Sequence, residues 1–319
     1  MIHHIPSGTR DVLPDEMREL RAITERIRTV FEEAGYGEVY TPALEYEAEL
    51  AQADLNAAQP AYRLFDERGE VLVLRSDMTV PIARVVATRY AAAEPPLRFC
   101  YVAHAYRGVR PQRGQSRELL QAGIELLGAP APDGTAEALR LMCAALDAAG
   151  LREYRVGLGD ASLYPKLLDS YRVADSARER ILDQLATRDF VGLARELGLT
   201  ALDDEAAELL LRVAQMRGGA DVLDAPDGPV ADALAGMRAV RGLLDPPASE
   251  RVLFDLGLAR GLGYYTGAVF EVYDPALGVP IGGGGRYDEL LGRFGRPLPA
   301  VGFALQVERL HIALTGEER

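Results

Sequence analysis

From residue 15 onward, apolar positions recur at three- and four-residue steps (Met17, Leu20, Ile23, Ile27, Val30, Phe31), behind the acidic pair Asp15-Glu16 and ahead of Gly35. That period predicts one amphipathic helix with an acidic first turn and a glycine exit. The period then shortens. Val39-Tyr40-Thr41, Arg63-Leu64-Phe65 and Val71-Leu72-Val73-Leu74 predict strands, the last two joined as a hairpin around Glu67-Arg68-Gly69-Glu70. Residues 81–90 return to helical spacing, and 97–107 and 117–127 read as long strands that pair antiparallel through a loop rich in glycine and arginine.

A helix is predicted over 136–149, ending at Gly150, and from about 162 to 244 the pattern is almost entirely helical, rich in Ala, Leu, Glu and Arg. Strand character returns at 251–256 and 264–273, followed by the run Gly282-Gly283-Gly284-Gly285, a short helix at 287–294 and a closing strand and helix over 299–314. Strands on both sides of a helical stretch predict a single α+β sheet drawn from both ends of the chain. The expected organisation is 1–161 for its first part, 162–245 for a helical insertion and 246–319 for its second part, without an internal repeat.

Composition narrows the possibilities. With 319 residues and 48% apolar content the chain can bury a substantial core. A net charge of -13 and a pI near 4.9 repel polyanions, so no nucleic-acid partner is expected. Cys100 and Cys143, far apart and in apolar surroundings, read as buried thiols of a reducing compartment. The four histidines (His3, His4, His104, His311) show no metal-ligand spacing. No signal peptide is recognisable and no apolar run approaches the roughly 18 residues that span a bilayer, so a cytoplasmic protein without a membrane partner is expected.

Four patterns could carry chemistry, the second made up of a long strand and the loop that leads into it. In Leu74-Arg75-Ser76-Asp77-Met78-Thr79, an acid and a hydroxyl two residues apart point the same way if strand geometry persists; an ordinary helix N-cap fits Asp77 equally. On the second long strand, Arg117, Leu119, Gln121, Gly123 and Glu125 share a face, either as a ligand-facing polar stripe or as a satisfied buried network. The connecting loop holds Arg107, Arg110, Arg113 and Arg117, suited to gripping phosphate or carboxylate, or else a solvated hairpin tip. Arg260-Gly261-Leu262-Gly263-Tyr264-Tyr265-Thr266-Gly267 combines close backbone approach with aromatic walls, or forms a bulge or tight turn. The glycine run before Arg286-Tyr287-Asp288 could cradle an anion as a helix entry, although it lacks the dinucleotide-binding context.

Taken together and in this order, these patterns resemble the catalytic domain of the histidyl-tRNA synthetases, a class II aminoacyl-tRNA synthetase family. The opening Pro6-Ser7-Gly8-Thr9-Arg10-Asp11-Val12-Leu13-Pro14 is similar to that family's N-terminal signature, Tyr106 through Glu125 to class II motif 2, and Ala300-Val301-Gly302-Phe303-Ala304 through Arg309 to motif 3. Arg260 through Glu271 and Gly283 through Leu290 resemble its two histidine-specific motifs. The resemblance runs from about Ile5 to Leu314. It implies an antiparallel sheet flanked by helices and a histidine pocket formed by Asp77, Thr79, Arg107, Gln121, Glu125, Arg260, Tyr264 and Tyr265.

The departures from that family bear on activity. Val109 stands where the synthetases carry a glutamate that helps hold ATP, Gly263 where they carry aspartate, Leu119-Leu120-Gln121 where they carry Phe-His-Gln, and Gln306 where a glycine leaves room for nucleotide. The sequence also ends at Arg319, soon after motif 3, which on the resemblance implies no anticodon-binding domain. A histidine pocket without a nucleotide site resembles the synthetase-like regulatory subunits of ATP phosphoribosyltransferase. That resemblance implies a subunit with no catalytic residue, cofactor or metal of its own. It would bind L-histidine, self-associate as a dimer within a hetero-oligomer, and partner the short-form ATP phosphoribosyltransferase catalytic subunit. The alternatives are a truncated synthetase-like enzyme that forms histidyl-adenylate and a stand-alone histidine-binding paralogue.

Overall fold

The computed structural model describes residues 4–51, 61–108, 116–224, 228–259 and 263–316. Its strands are β1 (Gly37–Glu38), β2 (Leu44–Tyr46), β3 (Arg63–Phe65), β4 (Val71–Leu74), β5 (Leu97–Tyr106), β6 (Glu118–Leu127), β7 (Arg155–Asp160), β8 (Arg217–Gly218), β9 (Val252–Asp255), β10 (Ala268–Tyr273), β11 (Gly282–Arg286) and β12 (Ala300–Gln306). The helices are α1 (Pro14–Glu33), α2 (Glu47–Ala51), α3 (Thr79–Arg89), α4 (Asp133–Ala149), α5 (Leu163–Ser170), α6 (Asp175–Thr187), α7 (Phe190–Gly198), α8 (Asp204–Gln215), α9 (Ala231–Gly242), α10 (Pro246–Ser249), α11 (Leu290–Arg293) and α12 (Val307–Thr315).

Nine strands form one sheet in the order β1-β5-β6-β12-β11-β10-β7-β9-β8, and β2, β4 and β3 form a separate three-stranded sheet. The large sheet is antiparallel from β5 through β7, with parallel pairs β1–β5 and β7–β9 towards its edges. The α+β sheet built from both chain ends is therefore present, but it is mixed rather than wholly antiparallel.

Side-chain alternation gives the sheet two unlike faces. On one, Cys100, Ala122, Ile124, Leu126, Phe270, Val301, Phe303 and Leu305 are buried in a single apolar core with Leu20, Ile23, Ile27 and Phe31 of α1 and with α4 and α12. Phe31 meets Phe303 edge-on at 5.8 Å between ring centroids. On the other, Phe99, Tyr101, Ala103 and Leu127 join a smaller cluster with Met78, Val80, Ile82, Tyr264 and Tyr287. Both cysteines are buried free thiols.

Several sequence expectations are corrected here. Val39-Tyr40-Thr41 is not a strand; the pairing with β5 falls at Gly37–Glu38 instead, and Pro42 with its missing N–H follows at once. The strand expected over 264–273 begins only at Ala268, leaving Tyr264 and Tyr265 in the segment ahead of it. The glycine run is no helix entry: Gly282–Arg286 is a wholly buried strand in the middle of the sheet. Strand β7 lay outside the expected elements altogether.

Among the described residues between Leu163 and Ser249, the elements are helices α5 to α10, β8 and a 3-10 turn at Ala220–Asp224. This segment shares the main core through Ile181, Leu185, Leu193 and Leu210. Helix α8 starts at a true cap, Asp203 Oδ1 accepting the Ala206 amide at 2.8 Å. Loss of such a cap costs about 1 kcal/mol. Asp203→Ala is therefore expected to lower the denaturant midpoint by a corresponding amount at unchanged slope. Among the described residues no helix is long and apolar enough to cross a membrane.

Candidate functional site

The second face of the sheet is paved with small residues. One transverse row runs Phe99, Glu125, Gly302, Gly285, Val269, Gly159; the next runs Tyr101, Gly123, Ala304, Gly283, Glu271, Gly157; Ala103, Gln121 and Gln306 continue on the side of Arg107. Glycine after glycine where a strand ordinarily carries β-branched residues leaves a trough above the backbone.

Into this trough the chain places two acids. Glu125 is 1% exposed. One carboxylate oxygen accepts the Thr79 hydroxyl at 2.7 Å and the other accepts the Tyr287 hydroxyl. Burial pushes the Glu125 carboxyl up to about 8, against the pull of the Tyr287 and Thr79 hydroxyls and reinforced by the neighbouring Asp77. Asp77 follows the end of β4 and precedes α3. Its Oδ1 accepts the Val80 amide at 3.1 Å, while Oδ2 is buried with no hydrogen-bond partner among the described residues. Burial raises its carboxyl too, opposed by the Val80 amide and the Arg107 guanidinium. The cap-like contact expected of Asp77 is thus made by one oxygen, while the other stays buried beside Glu125 without a hydrogen-bond partner among the described residues. Its geometry is that of a helix entry, since the strand has ended at Leu74.

Tyrosines wall the acids. Tyr264 packs against Tyr265 at 4.8 Å and edge-on to Tyr287 at 5.8 Å between centroids. Burial drives the Tyr101, Tyr264 and Tyr287 hydroxyls well above their ordinary range, and the nearby Glu125 adds to the effect. The glycines are required by this packing: a Cβ on Gly285 would lie 2.8 Å from the Tyr265 ring, and one on Gly123 2.5 Å from the Tyr101 hydroxyl oxygen. Gln121 is buried on the same face, directly across from Gln306, with its Oε1 lacking a hydrogen-bond partner among the described residues. At that end stand Arg107 and Arg309; burial and then the adjacent Arg107 charge pull the Arg309 guanidinium below its usual value.

Of the expected site residues, Asp77, Thr79, Arg107, Gln121, Glu125, Tyr264 and Tyr265 are gathered around this trough. Arg260 lies outside the described residues, as do Val109, Arg110 and Arg113. Tyr287 and Tyr101 were not among the expected site residues, although Tyr287 holds Glu125 directly. The signal for it was present in sequence, an aromatic immediately after Arg286 at the end of a glycine strand. Arg286 itself is structural: its guanidinium reaches Ala129 O at 3.1 Å and pairs with Asp288 at 2.7 Å. No metal-ligand cluster occurs among the described residues.

A largely antiparallel sheet with long helices on one face and a glycine-floored polar trough, bordered by α3 and α11, on the other defines a class II aminoacyl-tRNA synthetase-like domain. A family model described as histidyl-tRNA synthetase matches residues 8–310. Proteins named ATP phosphoribosyltransferase regulatory subunit are 42% identical over 316 residues in Symbiobacterium thermophilum, covering 97% of this chain and 79% of the relative, and 39% identical over 313 residues in Desulforamulus reducens, covering 96% and 78%. A crystal structure of an ATP phosphoribosyltransferase regulatory subunit/histidyl-tRNA synthetase from Bacillus halodurans C superposes with a TM-score of 0.88 at 34% identity, over 100% of this chain and 85% of that one. The chain belongs to the histidyl-tRNA synthetase-like family of ATP phosphoribosyltransferase regulatory subunits.

Proposed function

We propose that this chain binds L-histidine in the trough and, as a non-catalytic subunit, activates a short-form ATP phosphoribosyltransferase catalytic subunit and imposes histidine feedback on it. The observation that carries the reading is Glu125. A fully buried carboxyl is costly unless a cation meets it, and among the described residues Glu125 is met by two hydroxyls rather than by a guanidinium or ammonium. With Asp77 beside it, the trough offers a cationic or hydrogen-bond-donating ligand two acids, aromatic walls of imidazole size, and Arg107 for a carboxylate. Histidine has all three complements. Gln306 fills the floor where a nucleotide would need bare backbone, which favours a binding role over adenylate formation. In this reading the helical stretch 162–245 is an inserted subdomain, and the chain dimerises within a hetero-oligomer in the cytoplasm.

The test is phosphoribosyl-ATP formation by a purified short-form catalytic subunit, with and without this chain, across a histidine titration. Activation that histidine reverses is the expected result. Unchanged turnover at every histidine concentration would overturn the regulatory reading and return the chain to the adenylate-forming or stand-alone alternatives.

A further inference from the structure

The trough does not end at its ligand-facing residues. Glu271 lies on its floor, between Gly283 and Gly157 on the neighbouring strands, within electrostatic reach of Arg309 on one side and Arg188 on the other. From it a chain of polar contacts leaves the site. The Tyr273 hydroxyl donates to Glu271 Oε2 at 2.6 Å, and Arg188 Nη2 donates to that same hydroxyl at 3.1 Å and to Asp255 Oδ2 at 2.8 Å. Arg217 completes the string, holding Asp255 Oδ2 at 2.6 Å with its guanidinium 5.8 Å from the centre of the Tyr273 ring.

The two arginines come from the helical segment: Arg188 caps α6 and Arg217 lies in β8, just after α8. Arg188 takes up the left-handed conformation at φ 56°, where a non-glycine residue is uncommon. Asp255, 2% exposed, begins the turn that leads towards Tyr264; its Oδ1 accepts the Gly257 amide at 3.2 Å. Helix α8 also presses on that turn so closely that a Cβ on Gly257 would fall 1.9 Å from Ala214 O. Both segments that deliver trough residues, β10 and the turn after β9, are thereby tied to the helical segment through Arg188.

We infer that the Glu271–Tyr273–Arg188–Asp255 chain couples occupation of the trough to the helical segment. An anionic group settling between Arg107 and Arg309 competes with Glu271 for the Arg309 charge. Any shift of Glu271 is passed by the Tyr273 hydroxyl to Arg188, which the buried Asp255 holds at the same time, so that a weakened Tyr273 contact leaves Arg188 to Asp255 alone. The inference rests on the histidine reading for its ligand, but assigns a role to residues outside that pocket.

The experiment is amide hydrogen exchange on the full chain, with and without saturating histidine, for wild type and Tyr273→Phe. In wild type, histidine should slow exchange across 175–199 and 204–218, a region that does not contact the ligand. In Tyr273→Phe, histidine should still bind within about threefold of wild type, while that remote protection is lost. Arg188→Gln breaks the string one link further on and should lose the same protection. A merely structural role would instead raise exchange equally in the free and bound states. Wild type that binds histidine without remote protection, or variants that keep it, would overturn the coupling alone. Wild type that fails to bind histidine in calorimetry would overturn the histidine reading and the coupling with it.

Discussion

Glu125→Gln is expected to weaken histidine binding about 10- to 100-fold while making the unliganded protein more stable above neutral pH. A hydrogen bond to a charged partner contributes about 1.5–3 kcal/mol, and the amide is close in size, so the loss in calorimetry should be of that order. The stability gain follows from linkage. Burial holds the Glu125 carboxyl near 8, against an ordinary value of 4.5. Between those values the folded chain keeps a proton that the unfolded chain has released, so the unfolded state binds fewer protons and stability falls as pH rises through the window. The stabilising protonated form is fully present below the lower value and gone above the upper one. Removing the titrating group should therefore flatten the decline between pH 5 and 8 and raise unfolding free energy at pH 8 by up to about 4 kcal/mol, the linkage limit for a carboxyl moved from 4.5 to about 8. Asp77, shifted in the same direction, leaves a residual slope. An unchanged affinity would place histidine elsewhere; a variant that melts lower than wild type at pH 8 would contradict the burial of an unpaired acid.

Gly302→Ala should remove both stability and binding. Gly302 sits directly across from Glu125 in the β6–β12 register. A Cβ there would stand 1.8 Å from Glu125 Oε2 and 2.6 Å from Ile124 O. One of those atoms is backbone inside the sheet and the other belongs to a carboxylate fixed by Thr79 and Tyr287, so neither can withdraw cheaply. Overpacking of this kind ordinarily costs about 1–3 kcal/mol, and the double clash puts this site at the upper end, about 3 kcal/mol, measured by urea unfolding. The methyl also displaces the carboxylate that the ligand is to meet. A variant that unfolds like wild type would mean that β6 and β12 can separate without cost, contrary to the geometry.

Much of this architecture was legible from the periodicity alone. The stripe from Leu20 to Phe31 gave α1, the length of 97–107 and 117–127 gave the β5–β6 pair, and the closing strand and helix fell where expected. The misses share a physical cause. In β7, Gly157 and Gly159 alternate with Val156 and Leu158 between Arg155 and Asp160, and in β11 four glycines replace side chains outright, so both strands look like punctuation between elements. Yet Gly283 and Gly285 are places where the sheet must stay bare beneath the trough, and Gly282, Gly284 and Gly159 places where neighbouring chain packs too closely for a side chain. Local pattern reading therefore fails where the site overrides propensity. The same holds at Asp77, whose acid could be read as a cap or as a ligand group from the spacing of Asp77 and Thr79: it makes the cap-like contact to Val80 with one oxygen and leaves the other buried without a hydrogen-bond partner among the described residues. Tyr287 escaped because an aromatic after Arg286 marks a candidate position without naming its partner, and that partner, Glu125, lies 162 residues away.

The two-faced sheet has a consequence for how this chain can vary. On β6, Ala122, Ile124 and Leu126 look into the helices, while Gln121, Gly123 and Glu125 look into the trough; on β12 the parity reverses, with Val301, Phe303 and Leu305 inside and Gly302, Ala304 and Gln306 facing the trough. Enlarging or trimming a residue of the first set changes how firmly the protein folds. Enlarging one of the second set subtracts the same methyl from the room a guest molecule can occupy. Drift along these strands is thus sorted residue by residue: a position on the helix face answers to persistence alone, and its neighbour in sequence, as at Gly302, to persistence and capacity together.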